Sequence, residues 1–179
     1  MSGEAEKPRK PPRRPRSAAG PLRRSVLHVD ARGRARMVDV GGKGATRRVA
    51  VARGALAMSP QAFDALSSGR LAKGDAVAVA RLAGIQAAKK TSEIVPLCHP
   101  LALESVEVDV ELERRARQAV VTATARITGK TGVEMEALTA VSAACLALYD
   151  MIKAIDRAAV IREIVLLEKS GGRSGTYRR

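Results

Sequence analysis

Cys98 and His99 lie between Pro96 and Pro100 in a chain of 179 residues. Proline fixes its own φ and restricts the residue before it, so this short stretch is held between two stiff points. A histidine on such a loop suits proton transfer or phosphate binding, though an ordinary structural histidine fits the same pattern. His28 is the other histidine and the chain has no CxxC, so the ligand set is too thin for a zinc site, which needs about four donors. Asp150 and Lys153 stand three apart on one helical face, as an acid/base pair or a plain surface ion pair. Glu134 and Glu136 open the same helix, where carboxylates complement the helix dipole in any case. Thr128 to Thr131 read TGKT, like the end of a phosphate-binding P-loop, but Thr124 stands where that motif needs a glycine, which excludes it. Lys169 precedes Ser-Gly-Gly-Arg-Ser-Gly, a backbone able to hold phosphate or simply a frayed end.

These residues need elements to position them. Ala35 to Val40 and Arg47 to Ala52 read as short strands around the glycine-rich turn Gly41 to Gly44. Ser59-Pro60 is an N-cap with proline at the first helical position, opening a helix to about Leu66 that Gly69 can end. Asp75 caps a second helix, Ala76 to about Lys89. Val106, Val108, Val110 and Leu112 alternate with acidic residues; Val121, Ala123, Ala125 and Ile127 share one face of a second strand. The two form an antiparallel pair with one wet face. Val133 to about Ile155 is the longest helix, with small residues at Ala137, Ala140, Ser142, Ala143 and Ala144 that allow close packing. A last strand runs from Val160 to Glu168. Strands in one sheet with two long helices on one side make an α+β sandwich. Along the third helix Glu136 and Asp150 share a face but lie about 21 Å apart, too far for one small ligand to touch both. An antiparallel second copy could bring one subunit's Glu136 near another's Asp150.

Composition narrows the ligand. The net charge is +14, from 32 basic and 18 acidic residues. Met1 to Arg24 carry eight basic and two acidic residues and five of the eight prolines, which predicts a disordered basic tail. The remainder, residues 25–179, reads as a single domain that keeps a charge of +8 and so suits an anionic partner: nucleic acid, a phosphorylated small molecule or a membrane surface. Only Phe63, Tyr149 and Tyr177 are aromatic, which disfavours a base-stacking platform for single strands. No run of 18 apolar residues marks a membrane span, the N-terminus lacks an apolar signal core, and two cysteines are too few for a disulfide framework. The expected location is the cytoplasm.

Taken in order, ARMVDV, KGDAVAVARLAGIQAAKKTSEIVPLCHPL, TGKTGVEMEALTAVSAACLALYDMIKA and LLEKSGGRSG closely resemble the cyclic pyranopterin monophosphate synthase family, the MoaC-type accessory proteins of molybdenum cofactor biosynthesis. The resemblance covers about Leu27 to Gly175. It implies a ferredoxin-like α+β fold assembled as a homohexamer of three dimers. It implies conversion of (8S)-3′,8-cyclo-7,8-dihydroguanosine 5′-triphosphate to cyclic pyranopterin monophosphate and diphosphate, with no redox cofactor. By the same resemblance the catalytic residues are Asp150, Lys73 and Lys153. The substrate-binding residues are Leu97, Cys98, His99, Glu134, Met135, Glu136 and Lys169. Ile152 stands where a cysteine is common, and residues 1–24 have no counterpart. The competing expectation is a small basic RNA- or ribosome-associated protein that would have no use for His99 or Asp150.

Overall fold

The structure, a computed structural model, describes residue 32 and residues 34–179. The expected tail, the expected opening of the fold near Ser25, and His28 lie outside the described residues.

The chain alternates strands and helices: β1 (Thr46–Ala57), α1 (Pro60–Ser67), α2 (Ala76–Lys89), the short α3 (Thr91–Ile94), β2 (Ser105–Glu113), β3 (Gln118–Gly129), α4 (Glu134–Ile152), β4 (Val160–Ser170) and β5 (Tyr177–Arg178). The strands form one antiparallel sheet in the order β2-β3-β1-β4-β5. This is the expected α+β class.

Both expected helix starts are capped as their residues dictate. Ser59 accepts from the Ala62 amide, and Asp75 accepts from the Ala78 amide at 3.0 Å. Period-two alternation buries one face of the sheet: Ala50, Ala52 and Leu56 on β1 pair with Ala125, Ala123 and Ala119 on β3 under α4, while α2 packs on α4 and β2. Small residues let the layers approach. A Cβ on Gly54 would stand 2.7 Å from Val141 Cγ1, and one on Gly84 of α2 would stand 2.9 Å from the Ala140 carbonyl oxygen of α4. The small face of α4 therefore packs close, as its composition predicts. Leu56, Val121, Val141, Leu148 and Ile152 fill the rest. Burying a side chain of this kind contributes about 1.5–3 kcal/mol. By length and hydropathy α4 could cross a membrane, yet its nine buried residues make it the core helix of this sheet.

Several boundaries differ from expectation: β1 continues past Ala52 to Ala57, and the short α3 is unexpected. Residues 36–40 form no strand; only Ala35 makes an isolated bridge. The backbone there is held by side chains: His99 Nε2 donates to the Val38 carbonyl (2.7 Å), Lys130 Nζ to the Gly41 carbonyl (2.8 Å), and the Gly41 amide to Asp39 Oδ1 (2.7 Å). Helix α4 stops at Ile152 rather than near Ile155, because Asp156 turns back to accept from the Ser59 amide at 2.7 Å. The last strand continues through Lys169 to Ser170. The C-terminal tail returns as β5, pairing Tyr177 with Lys169 and Arg178 with Glu168.

Candidate active site

Helix α4 carries a cluster of expected site residues at each end. At its N-terminal end, a cavity of about 220 Å³ is lined by Leu97, Cys98 and His99 from the loop after α3, and by Glu134, Met135 and Glu136 from the first turn of α4. Six of the seven expected substrate-binding residues thus meet at one place. The two prolines and the hydrogen bond from Cys98 N to the Val95 carbonyl (3.0 Å) hold the loop. His99 donates through Nε2, so a neutral ring keeps Nδ1 as an acceptor. The seventh, Lys169, reaches Glu134 Oε1 at 3.7 Å and donates to Ser174 Oγ.

Glu136 is 3% exposed. Burial pushes its carboxyl above the usual range, its own backbone amide opposes this, and neighbouring Glu134 adds to the rise. Cys98 is raised by burial and by the charge of Glu136, so it is a thiol rather than a thiolate nucleophile at neutral pH. Cys145, at about 11 through burial, is a core residue with no place in the site.

The C-terminal end is open. Asp150 Oδ1 lies 2.6 Å from Lys153 Nζ, and Oδ2 lies 2.6 Å from Lys73 Nζ, which also donates to the Asp150 carbonyl at 2.8 Å. Hydrogen bonds from Lys153 and then Lys73 hold the Asp150 carboxyl down at about 2, although its side chain is half exposed. The Asp150–Lys153 ion pair is the one its spacing predicts. Lys73 joins it from the loop before α2, which no local spacing could reveal.

The two ends lie about 21 Å apart along the helix axis. Within one chain the cavity and the Asp150 cluster are therefore separate.

Residue reasoning passed over several contributors. Val38, Val40, Lys43, Thr131 and Gly132 also line the cavity. The glycine-rich turn at Gly41 to Gly44 and the TGKT stretch at Thr128 to Thr131 are visible in the sequence; that they meet, through Lys130 and the Gly41 carbonyl, is not. Arg48 donates through Nε to the Gly129 carbonyl (3.0 Å), and its guanidinium fills the space beside Gly172. Gly171 and Gly172 both have positive φ, and a Cβ on Gly171 would stand 2.1 Å from the Arg47 carbonyl oxygen. Only glycine fits there, which explains the Ser-Gly-Gly sequence after Lys169. Among the described residues no three His, Cys, Asp or Glu side chains come together as a metal site.

Residues 37–172 match the MoaC family. A cyclic pyranopterin monophosphate synthase of Novosphingobium aromaticivorans is 57% identical over 153 residues, covering 86% of this chain and 96% of the relative. One from Thermomicrobium roseum is 55% identical, covering 86% and 93%. Molybdenum cofactor biosynthesis protein 1 of Bos taurus is 52% identical over 94% of this chain and 27% of its own length. The family match spans both ends of α4, the Pro96–Pro100 loop and Lys169, and the chain belongs to the MoaC family.

Proposed function

We propose that this chain is a cyclic pyranopterin monophosphate synthase, converting (8S)-3′,8-cyclo-7,8-dihydroguanosine 5′-triphosphate to cyclic pyranopterin monophosphate with release of diphosphate. The observation that carries the reading is the convergence of Leu97–His99 and Glu134–Glu136 on one cavity, within a chain 51–57% identical to proteins of that name. The reaction rearranges a ring and closes a cyclic phosphate. It therefore needs proton transfers and neutralised negative charge, and no net electron transfer.

The residues divide that work by environment. Asp150, Lys73 and Lys153 are the catalytic cluster: the ionised carboxylate orients two ammonium groups that can give a proton or meet developing anionic charge. The cavity binds the substrate through Leu97, Cys98, His99, Glu134, Met135 and Glu136, with Lys169 beside Glu134 at its edge. No single protomer presents both clusters to one ligand, so the working site combines the cavity of one subunit with the Asp150 cluster of another. The assembly we favour is a homohexamer built as a trimer of dimers. Leu82 and Leu146, each at least 60% exposed on α2 and α4, offer apolar surface to a second copy. The βαββαβ alternation and the strand order β4-β1-β3-β2 favour a ferredoxin-like arrangement. Residues 25–179 form the catalytic domain, residues 1–24 are a tail dispensable for it, and the protein works in the cytoplasm. Nothing in the matched family favours the RNA-associated reading.

The test is direct. The purified chain, given the cyclised triphosphate, should release diphosphate in step with cyclic pyranopterin monophosphate. Intact substrate after many enzyme equivalents of time would end the proposal.

A further inference from the structure

The turn Gly41 to Gly44 brings Lys43 to the cavity wall. It is built with care. The Lys43 amide donates to the Val40 carbonyl at 3.1 Å, the Gly41 amide to Asp39 Oδ1, Lys130 Nζ to the Gly41 carbonyl, and His99 Nε2 to the Val38 carbonyl. Contacts before and within the turn therefore fix where Lys43 stands. Its side chain is half-buried and lines the cavity. Among the described residues its ammonium makes no ion pair or hydrogen bond, whereas Lys73, Lys130, Lys153 and Lys169 each have a partner.

The charge of the cavity makes this cation consequential. Glu134 and Glu136 line it, and no other lysine or arginine does. Two carboxylates alone would repel a polyphosphate. A half-buried ammonium beside them with no partner among the described residues is a donor for an anion, and a lysine binds phosphate as a mobile point charge. We infer that Lys43 is a substrate-binding residue, holding a phosphoryl oxygen of the ligand in the cavity while Glu134 and Glu136 face its uncharged part. This rests on the synthase reading only for the identity of the ligand; that the ligand is a polyphosphate can be tested without turnover.

Inorganic triphosphate titrated into the full-length chain by calorimetry is the probe. Wild type should bind it, Lys43→Met should bind about 10–100-fold more weakly, the loss expected for a charge-assisted hydrogen bond, and Lys43→Arg should keep most of the affinity. With the cyclised triphosphate, Lys43→Met should raise KM by a similar factor and leave kcat within about threefold, because uniform binding has been removed. Equal affinity and equal KM in wild type and Lys43→Met, with both folded by thermal melting, would overturn the inference, as would a wild type that does not bind triphosphate. Loss of triphosphate binding in Lys43→Met, in a wild type that binds triphosphate but never turns over the cyclised substrate, would support the inference and sink the synthase reading instead.

Discussion

At the N-terminal end of α4 a carboxyl, Glu136, is buried in a cavity and pushed upward; at the C-terminal end another, Asp150, sits in the open between two lysines and is pulled down to about 2. One helix thus carries two carboxyls whose surroundings drive them apart. Burial penalises the charged form and ion pairing favours it, so sequence identity as Asp or Glu decides little. The same contrast holds for the neighbours: the buried end sets Lys43, His99 and Glu134 among apolar walls, and the open end holds two lysines on one carboxylate.

The comparison breaks most visibly at the open end. Asp150→Asn keeps the shape but loses the charge that orients Lys73 and Lys153, and Lys153→Met removes one ammonium. Each should lower kcat by about 10²–10⁴, the usual contribution of a positioned proton-transfer group. The double variant should be little worse than either single, because the groups act as a unit. Were the cluster only an exposed ion pair, turnover would be untouched and stability would fall by less than about 1 kcal/mol. Steady-state kinetics on the three variants decides between these.

The next test asks whether the two ends work together across subunits. Glu136→Ala and Asp150→Ala should each be inactive as pure proteins. In a two-fold dimer formed from an equal mixture, half the dimers are hybrids, and each hybrid holds one site with both residues intact. Mixing under exchange should therefore restore about a quarter of wild-type activity. Absence of rescue, with exchange shown by mass tags, would place both ends in the service of separate ligands.

What the sequence made legible follows from range. Asp75 before an alanine-rich run and the valine–acid alternation of β2 are local signals, and both elements form as written. The Asp150–Lys153 pair is local too. Lys73 joins from 77 residues away, and no periodicity carries that information. The alternation in Met37 to Val40 misleads for a physical reason: it reports that alternate side chains are covered, and Val38 and Val40 are covered by the cavity rather than by a sheet. The end of α4 was illegible because no glycine or proline follows Ile152; a distant amide, that of Ser59, sets it through Asp156. The two-residue β5 is too short for any pattern to announce. The cavity itself was legible only through family resemblance, since its walls come from three separated segments.

The smallest expected effect sharpens the buried end. A carboxyl whose folded pKa is raised above its ordinary value of 4.5 costs the fold stability once it must ionise. Below 4.5 the group is protonated folded and unfolded, and no penalty exists. As pH rises past 4.5 the unfolded chain ionises first, so the penalty grows until the folded group ionises as well, and then stays constant. Glu136→Gln keeps the shape and removes the charge. At neutral pH it should raise the melting temperature, by about 2–4 °C for each kcal/mol of relieved penalty in a chain of this size. The gain should shrink as pH falls toward 4.5, while turnover falls at every pH because the site has lost a carboxyl. Melting curves of wild type and Glu136→Gln across pH 4.5–7.5 read this out. A variant that melts lower than wild type at neutral pH would mean that the ionised carboxylate is well solvated or paired where it stands. Glu136 would then belong with Asp150, and the contrast between the two ends of α4 would collapse.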